Sequence, residues 1–333
     1  MSTQMSGAVE KQTWRSPRRH FVAQNSPVLL SVVILVVALT AYYFLYYRQL
    51  GALPDSFDLT TIVDNALPLV FVGLGQTVVV VTRGLDLSVG GVLSISVALA
   101  ATQMGHGVGI VGWSLAILLI GALAGLANGV LVAYARLAPI LVTLATLSIF
   151  DGLAIMLLPK PGGRIPTVLT NVLTNPNRPY GLVFLILALL IWFVLRRSSY
   201  GVALFATGND ETAATANGIN VRRTKLWAYA ISGVCAAAGG LFFAARTTSG
   251  DAGAGTPFVL TSITAVFLGG ASLFGGRASA YGTTCGAVVL TLIVNVLFFA
   301  HVNQLYQSLY EGLLLVIAVV LGLVVGRLAR RQA

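Results

Sequence analysis

Side chains able to do covalent chemistry are few in this sequence, and none is arranged as a known reaction centre. The three histidines, His20, His106 and His301, and the two cysteines, Cys235 and Cys285, each stand apart from the others. The chain has no G-x-x-x-x-G-K-[ST] loop to hold nucleotide phosphates, and no H-E-x-x-H, C-x-x-C or G-x-S-x-G motif. We therefore predict a protein that is not an enzyme, holds no metal, and does not hydrolyse ATP through a P-loop of its own.

Polar side chains within apolar runs indicate a different chemistry, the passage of an uncharged polar solute. Amides can bind sugar hydroxyls without ion pairs, although amides in membrane helices also serve as contacts between helices. Asp86 follows Arg83 by three residues, and it can cap the next helix, pair with Arg83, or line a pathway. The candidate pathway and gating residues are Asn65, Gln76, Asp86, Ser88, Asn128, Ser272, Phe274 and Asn295, with Asn303 as a further amide.

Composition predicts that these residues belong to an all-α membrane protein. Of the 333 residues, 57% are hydrophobic and 9% are charged, whereas a typical soluble domain has about 25% charged residues. A membrane-spanning helix needs roughly 20 apolar residues, and ten segments are candidates, two of them short. They are Val28–Tyr47, Leu59–Thr82, Ser88–Gln103, Val108–Tyr134, Ile140–Leu158, Gly181–Leu195, Leu226–Ala245, Phe258–Leu268, Tyr281–Ala300 and Ser308–Val325.

The positions of lysine and arginine predict that both termini lie in the cytoplasm. With the N-terminus inside, only five of the 20 positive residues fall on the outer side, namely Arg48, Lys160, Arg164, Arg178 and Arg246. This bias obeys the positive-inside rule, and an odd number of spans would break it at one end. The net charge of +10 is then explained by anionic lipids of the inner leaflet rather than by nucleic acid.

The predicted organisation is one membrane domain between two basic tails. The boundaries are a cytoplasmic tail (1–27), a polytopic domain (28–326) that includes a cytoplasmic segment (196–225), and a second cytoplasmic tail (327–333). Glycine-rich stretches at 83–91 and 269–277 interrupt the apolar sequence. We interpret both as breaks in discontinuous helices, a feature of transporters, with ordinary tight turns as the alternative.

Glycines also recur at every fourth residue inside two predicted spans. Gly121, Gly125 and Gly129 do so in one span, and Gly282 and Gly286 do so in another. Small residues at this spacing let helix backbones approach closely in lipid. The pattern indicates close helix packing, either within the chain or between two subunits.

Part of the segment 196–225 has the pattern of a short capped helix. Asn209 is a good N-cap, Asp210 and Glu211 favour the positive start of a helix, and Gly218 is suited to its end. This pattern predicts a helix of about two turns. Because isolated helices shorter than roughly 12–15 residues are marginal in water, this one must dock, either on its own membrane domain or on a separate soluble subunit.

Four long motifs occur in order along the chain. They are GLDLSVGGVLSISVALAA (Gly84–Ala101), NGVLVAYARLAPILVTLATLSIFDGLA (Asn128–Ala154), YGVALFATGNDETAATANGINVRRTKLWAYAISG (Tyr200–Gly233) and AVFLGGASLFGGR (Ala265–Arg277). In this order and at this spacing they resemble the permease subunits of bacterial ABC importers of the ribose/galactose/xylose type. The resemblance covers nearly the whole chain after the first span, and four motifs together are far more specific than one.

The resemblance implies a multi-pass protein of the bacterial inner membrane, with about ten spans, that works as a homodimer or heterodimer of permeases. It implies a cytoplasmic ATPase subunit that binds ATP and Mg, and a periplasmic protein that delivers a monosaccharide, so this chain needs no cofactor of its own. The short cytoplasmic helix would be the coupling helix that enters a groove on the ATPase. The residues in that region are Asn209, Asp210, Glu211, Ala213, Ala214, Asn217, Gly218 and Ile219.

The chain departs from the resembled family at one place. The family commonly has Glu-Leu-Asp where this sequence has Val259, Leu260 and Thr261, so two acids are absent and the identity of the sugar is left open. Two other functions stay open as alternatives. One is a permease for branched-chain amino acids, and the other is a secondary carrier that works alone on an ion gradient.

Overall fold

The computed structural model describes residues 17–302 except 106–108 and 176, together with scattered residues between 306 and 320; at 17–27 and 30 it describes the backbone alone. Twelve helices form this part of the chain, joined by turns and irregular segments. They are α1 (Pro17–Leu50), α2 (Ser56–Val81), α3 (Val89–Gln103), α4 (Gly109–Ala133), α5 (Pro139–Leu157), α6 (Thr167–Leu173), α7 (Tyr180–Arg197), α8 (Ser199–Asn209), α9 (Glu211–Ala216), α10 (Val221–Thr247), α11 (Thr256–Leu268) and α12 (Ala280–Phe299).

The all-α membrane class is confirmed, and seven of the ten predicted spans are present as full-length helices among the described residues. In the part of the chain that the structure describes, the helices long and apolar enough to cross a membrane are 31–50 of α1 together with α2, α4, α5, α7, α10 and α12. The predicted spans Ser88–Gln103 and Phe258–Leu268 correspond to α3 and α11, which have only 15 and 13 residues. Most of the tenth predicted span, Ser308–Val325, lies outside the described residues, as do the tails at 1–16 and 327–333.

Helix α3 is short because the chain turns into the protein before α3 begins. The segment 82–88 follows α2 and places Asp86 beside Ser232 of α10, eleven residues after the start of α10 at Val221. At 1.5 Å per residue, this position is about 16 Å along α10. Helix α3 therefore starts partway along the bundle, which supports the discontinuous-helix interpretation of 83–91.

The second glycine-rich stretch is a turn between two antiparallel helices, so the discontinuous-helix interpretation is wrong for 269–277. The backbone N–H of Ser272 donates to the carbonyl of Arg277 across 2.8 Å, which closes a compact loop between α11 and α12. Phe274 at its tip is 67% exposed. The loop meets the end of α2, where the N–H of Gly276 donates to the carbonyl of Val81 across 2.9 Å.

A third interruption, absent from the predictions above, explains the short α11. After α10 ends, Gly250 pairs with Gly162 through two backbone hydrogen bonds of 2.7 and 2.9 Å. The chain then enters the interior, where the N–H of Gly255 donates to Ser94 Oγ of α3 across 3.1 Å. Because α11 begins at this inner position, it reaches the far end of the bundle in 13 residues.

Helix α10 is the central element, packed against α2, α3 and α4. Its contact with α4 depends on glycines, since a Cβ at Gly125 would overlap the backbone carbonyl of Tyr229, and one at Gly121 would meet the carbonyl of Gly233 at 2.5 Å. A Cβ at Gly282 or Gly286 would likewise overlap the backbone of α11. The every-fourth-residue glycines thus serve packing within the chain.

Gly125→Ala is expected to lower the free energy of unfolding by about 1–3 kcal/mol, the usual cost of overpacking a core. The new methyl group meets backbone atoms of Tyr229 and Ala230, which cannot move without separating α4 from α10. Gly152→Ala is the matched control, because it also lies within a helix but has no atom within 4 Å of its added Cβ. Thermal unfolding in detergent measures both variants, and equal midpoints would contradict this account of the α4–α10 contact.

Candidate functional site

A buried polar cluster lies where the segment 82–88 meets α4 and α10. Asp86 Oδ1 accepts hydrogen bonds from the backbone N–H and the hydroxyl of Ser88, at 3.1 and 2.6 Å. Asn128 Nδ2 donates to Ser88 Oγ across 2.8 Å. Asp86 thus holds the turn that starts α3, and three of the predicted pathway residues, from two distant parts of the chain, form one hydrogen-bonded group.

Several polar atoms of this cluster have no hydrogen-bond partner among the described residues. They include Asn128 Oδ1 and the Tyr229 hydroxyl. Tyr229 packs against Gly84, since a Cβ there would lie 2.7 Å from its hydroxyl oxygen, and Ser232 lies beside the Asp86 carboxylate. Buried polar atoms are nearly always paired, so this group has unused capacity for a polar solute or for water.

Tyr229 and Ser232 are absent from the predicted site. Both lie in α10, where a tyrosine and a serine within an apolar helix look like ordinary packing residues. One signal was available, because residues three apart share a face of a helix, and Tyr229 and Ser232 therefore project toward the same neighbour.

The other predicted pathway residues do not join the cluster through any hydrogen bond. Gln76 is fully buried in α2 and neither atom of its amide is paired, and the preceding Gly75 packs against Ser232. Asn65 is half-buried, and Asn295 donates to the carbonyl of Thr291 in its own helix across 3.2 Å. Ser272 and Phe274 lie in the α11–α12 loop described above, and Asn303 lies outside the described residues.

The predicted coupling helix exists as α9, but its N-cap is Asp210 rather than Asn209. Asp210 Oδ1 accepts from the backbone N–H groups of Thr212 and Ala213 at 2.8 and 3.0 Å. These hydrogen bonds, that to Ala213 foremost, hold the pKa of the Asp210 carboxyl below its usual value. Asn209 is instead the last residue of α8, an eleven-residue helix that the predictions lacked.

The predicted end of the coupling helix at Gly218 is confirmed. Gly218 has a φ of +81°, in the left-handed region that glycine adopts without strain. Its N–H donates to the carbonyl of Thr215, and the N–H of Ile219 donates to the carbonyl of Ala214, both across 3.0 Å. This pair of hydrogen bonds is the Schellman motif, and it fixes where α9 stops.

Helix α9 docks on its own chain through one side only. Ala214 is buried, and Glu211 forms an ion pair of 2.6 Å with Lys225 at the start of α10. The opposite side consists of short side chains, all of them exposed: Thr212, Ala213, Thr215, Ala216 and Asn217. Docking on its own domain therefore leaves a smooth helical surface uncovered, and the two predicted modes of docking are compatible.

Arg83 joins this region to the end of α2. Its Nε donates to the carbonyl of Gly208 across 2.8 Å, and its Nη2 donates to the carbonyl of Asn209. Arg83 therefore binds the last residues of α8, and the predicted possibility of an Arg83–Asp86 pair is wrong. The reason is that the guanidinium is engaged by these two carbonyls at the end of α8.

The positions of the two predicted acid replacements are also defined. Val259 is buried and packs against Gly90 of α3, and Thr261 Oγ1 donates to the carbonyl of Pro257 in its own helix across 2.9 Å. Val259 has no polar side-chain atom, and the one hydroxyl proton of Thr261 is already donated within its own helix. At these positions the inner side of α11 therefore provides shape and hydrophobic contact rather than charge.

A bundle of apolar helices interrupted at depth, with a buried polar cluster and a short exposed helix at one end, is typical of a membrane transport protein. Residues 59–319 match a family model described as the permease component of the branched-chain amino acid transport system. The chain belongs to this family of permease components.

Several relatives with assigned names are import permeases for ribose or fructose, and another is named for autoinducer-2 import. The chain is 30% identical to the ribose import permease protein RbsC of Escherichia coli K12, over 91% of this chain and 96% of the relative. It is 36% identical to the ribose import permease protein of Bacillus subtilis 168, over 75% and 80%. It is 32% identical to the fructose import permease protein FrcC of Rhizobium meliloti, over 90% and 86%. No solved structure matches the chain significantly.

Proposed function

We propose that this chain is the membrane-spanning permease subunit of an ATP-binding-cassette importer, and that it forms the pathway for a monosaccharide. The observation that carries the proposal is similarity along almost the full length of permeases named for ribose and fructose import. The motif carried by α9 supports it, because an exposed helix of small side chains is suited to a groove on another protein.

The proposed partners follow from this assignment. A cytoplasmic ATPase subunit binds ATP and Mg and receives α9, a periplasmic binding protein delivers the sugar, and a second permease, identical or related, completes the membrane domain. The protein then resides in the bacterial inner membrane with about ten spans and both termini in the cytoplasm. An even number of spans is compatible with the described helices, because the end of α2, the end of α8 and the α11–α12 loop all lie at the same end of the bundle.

The proposed pathway passes the buried cluster of Asp86, Ser88, Asn128, Tyr229 and Ser232. Sugar hydroxyls both donate and accept hydrogen bonds, so they can satisfy amide and hydroxyl groups that lack partners in the closed bundle. Asp86, Ser88 and Asn128 are all at most 1% exposed. The helices around the cluster must therefore separate before a solute can enter, and the structure corresponds to a closed state of the pathway.

The proposed mechanism drives that opening from the cytoplasm. ATP closes the pair of nucleotide-binding subunits, their movement displaces α9, and the membrane helices alternate between outward and inward openings. The alternatives are weaker. A secondary carrier would not need an exposed docking helix. A branched-chain amino acid permease agrees with the family description, but the sugar permeases named above match this chain over most of their length.

A stoichiometric ATPase is the expected result of a gentle detergent extraction of the tagged protein from native membranes, followed by mass spectrometry. The extracted complex, reconstituted with its binding protein, is then expected to take up a monosaccharide only when ATP is supplied. A second permease in the same sample would show a heterodimer. If the protein emerged alone and still moved solute in vesicles without ATP, the carrier alternative would replace the importer.

A further inference from the structure

For a movement of α9 to reach the membrane helices, contacts must connect the two, and α9 itself makes few strong contacts with them. Its buried contact is the small side chain of Ala214, and its ion pair between Glu211 and Lys225 is partly exposed, a class of interaction that contributes little to stability. The stronger connection lies just before α9, at the carbonyls of Gly208 and Asn209, which Arg83 binds.

We propose that Arg83 is a positioning residue that transmits movement of α8 and α9 to the segment 82–88, and through it to the Asp86 cluster. The inference rests on the proposed function, because it concerns how the coupling helix of an ATP-driven importer would act. It goes beyond that function by assigning the mechanical link to one side chain.

The contact made by Arg83 is suited to carry force. A guanidinium that donates to carbonyls forms charge-assisted hydrogen bonds, which are stronger than neutral ones. Both acceptors, Gly208 and Asn209, lie at the C-terminus of α8, where the helix dipole favours a positive charge. Arg83 thus binds backbone carbonyls of α8. A backbone carbonyl moves together with its helix, whereas a side chain can move without it.

Glycines bring three backbone segments together around Arg83. A Cβ at Gly208 would overlap the carbonyl of Val81, and one at Gly275 would overlap the Arg83 side chain. Gly276 meets both the carbonyl of Val81, by a hydrogen bond, and the side chain of Asn209. These close contacts confine the Arg83 side chain beside the C-terminus of α8, so a displacement of α8 cannot be absorbed by a change in the conformation of Arg83.

The other end of the segment reaches four membrane helices. Leu85 accepts a hydrogen bond from Thr143 Oγ1 of α5 across 3.3 Å, and both Leu85 and Leu87 pack with Ile263 and Phe267 of α11. Through Ser88 and Asp86 the same segment contacts α4 and α10. A rotation of the seven residues 82–88 would therefore displace the helices that enclose the buried cluster.

The test is Arg83→Gln in the complex with its ATPase, with Arg136→Gln as the matched control. Arg136 is also an exposed arginine with a left-handed φ, +56°, in the turn between α4 and α5, and its side chain donates to no described residue. Arg83→Lys retains the charge but loses the planar fork. The quantities measured are the ATPase retained on purification, the thermal midpoint, the hydrolysis rate, and the sugar taken up per ATP hydrolysed.

Arg83→Gln is expected to keep the ATPase and the thermal midpoint while sugar taken up per ATP falls at least tenfold. Arg83→Lys should recover part of the loss, and Arg136→Gln should match the unsubstituted protein. The inference is overturned if Arg83→Gln transports normally, or if its loss merely follows loss of bound ATPase or of folded protein. A purified complex that contains no ATPase would instead remove the proposed function, and the inference with it.

Hydrogen exchange on the unsubstituted complex provides a second test that does not depend on the folding of any variant. Addition of ATP and Mg with vanadate, which traps the closed ATPase pair, is expected to change amide exchange in 208–216 and in 82–88 together. If 208–216 responds while 82–88 keeps its exchange rates, Arg83 transmits nothing and the inference fails.

Discussion

Ala213→Arg is expected to abolish ATP-driven uptake while leaving the permease folded and inserted. Ala213 is exposed on α9, whereas the neighbouring Ala214 is buried, so a longer side chain at Ala213 meets solvent in the isolated permease and disturbs no internal packing. In the complex the same side chain would enter the groove proposed on the ATPase, where an unpaired charge has to be desolvated. The expected loss of bound ATPase on purification is tenfold or more.

Ala52→Arg is the matched control for this prediction. Ala52 is also exposed, but it lies before α2 at Ser56, whereas α9 lies near the end of α2 at Val81, so the two substitutions place an arginine at opposite ends of the bundle. The control should retain the ATPase and the uptake rate. Normal uptake and normal ATPase content in Ala213→Arg would remove the assignment of α9 as the coupling helix.

Helix α9 shows which features could be predicted from the sequence. Its end was predictable, because the Schellman motif at Gly218 depends only on local backbone geometry and on a glycine in the right place. Its start was predicted one residue early, because Asn209 and Asp210 are both good N-caps. Asp210 is the cap because its carboxylate accepts from the N–H groups of Thr212 and Ala213. Asn209 instead ends α8, where Arg83, 125 residues before Gly208 in sequence, binds the carbonyls of Gly208 and Asn209.

The membrane helices show the limit of hydropathy. The length of an apolar run indicates how many residues are shielded from water, so the predicted bounds of α2, α4 and α10 lie close to the observed ones. It does not report where along the bundle a helix begins. The entry of 82–88 beside Ser232, and of Gly255 beside Ser94, depends on contacts between residues far apart in sequence, and these contacts make α3 and α11 shorter than a membrane span.

The buried cluster was predicted by residue type but not by arrangement. Asp86, Ser88 and Asn128 each stood out as polar residues within apolar sequence, yet only the packing of α4 on the α2–α3 break brings the Asn128 amide to the Ser88 hydroxyl. Asn65 and Asn295 stood out equally and form no hydrogen bond with the cluster, since Asn295 is satisfied by its own helix. Amide content alone therefore cannot separate a solute site from a helix contact.

Asp86→Ala is expected to reduce sugar uptake at least tenfold, measured per folded and inserted molecule. The substitution removes the acceptor of two hydrogen bonds from Ser88, and a buried donor left without a partner costs about 1–3 kcal/mol. Because a factor of ten corresponds to about 1.4 kcal/mol, disturbance of the α3 start alone is large enough to produce such a loss. Asp86→Asn retains an oxygen at Oδ1 and should transport better than Asp86→Ala.

Asp251→Ala is the control that distinguishes the effect of losing a hydrogen-bonded turn from the effect of disturbing the buried cluster. Asp251 accepts a hydrogen bond from the N–H two residues later, at Gly253 across 2.8 Å, as Asp86 does with Ser88, but Asp251 is exposed. The control should therefore transport normally, since water replaces the lost acceptor. If Asp86→Ala also transported normally, the pathway would have to avoid the buried cluster. Loss in Asp86→Ala with full retention of folded protein and bound ATPase would place the defect at the buried cluster itself, either at the α3 start that Asp86 holds or in passage of the solute, because neither stability nor coupling would then account for it.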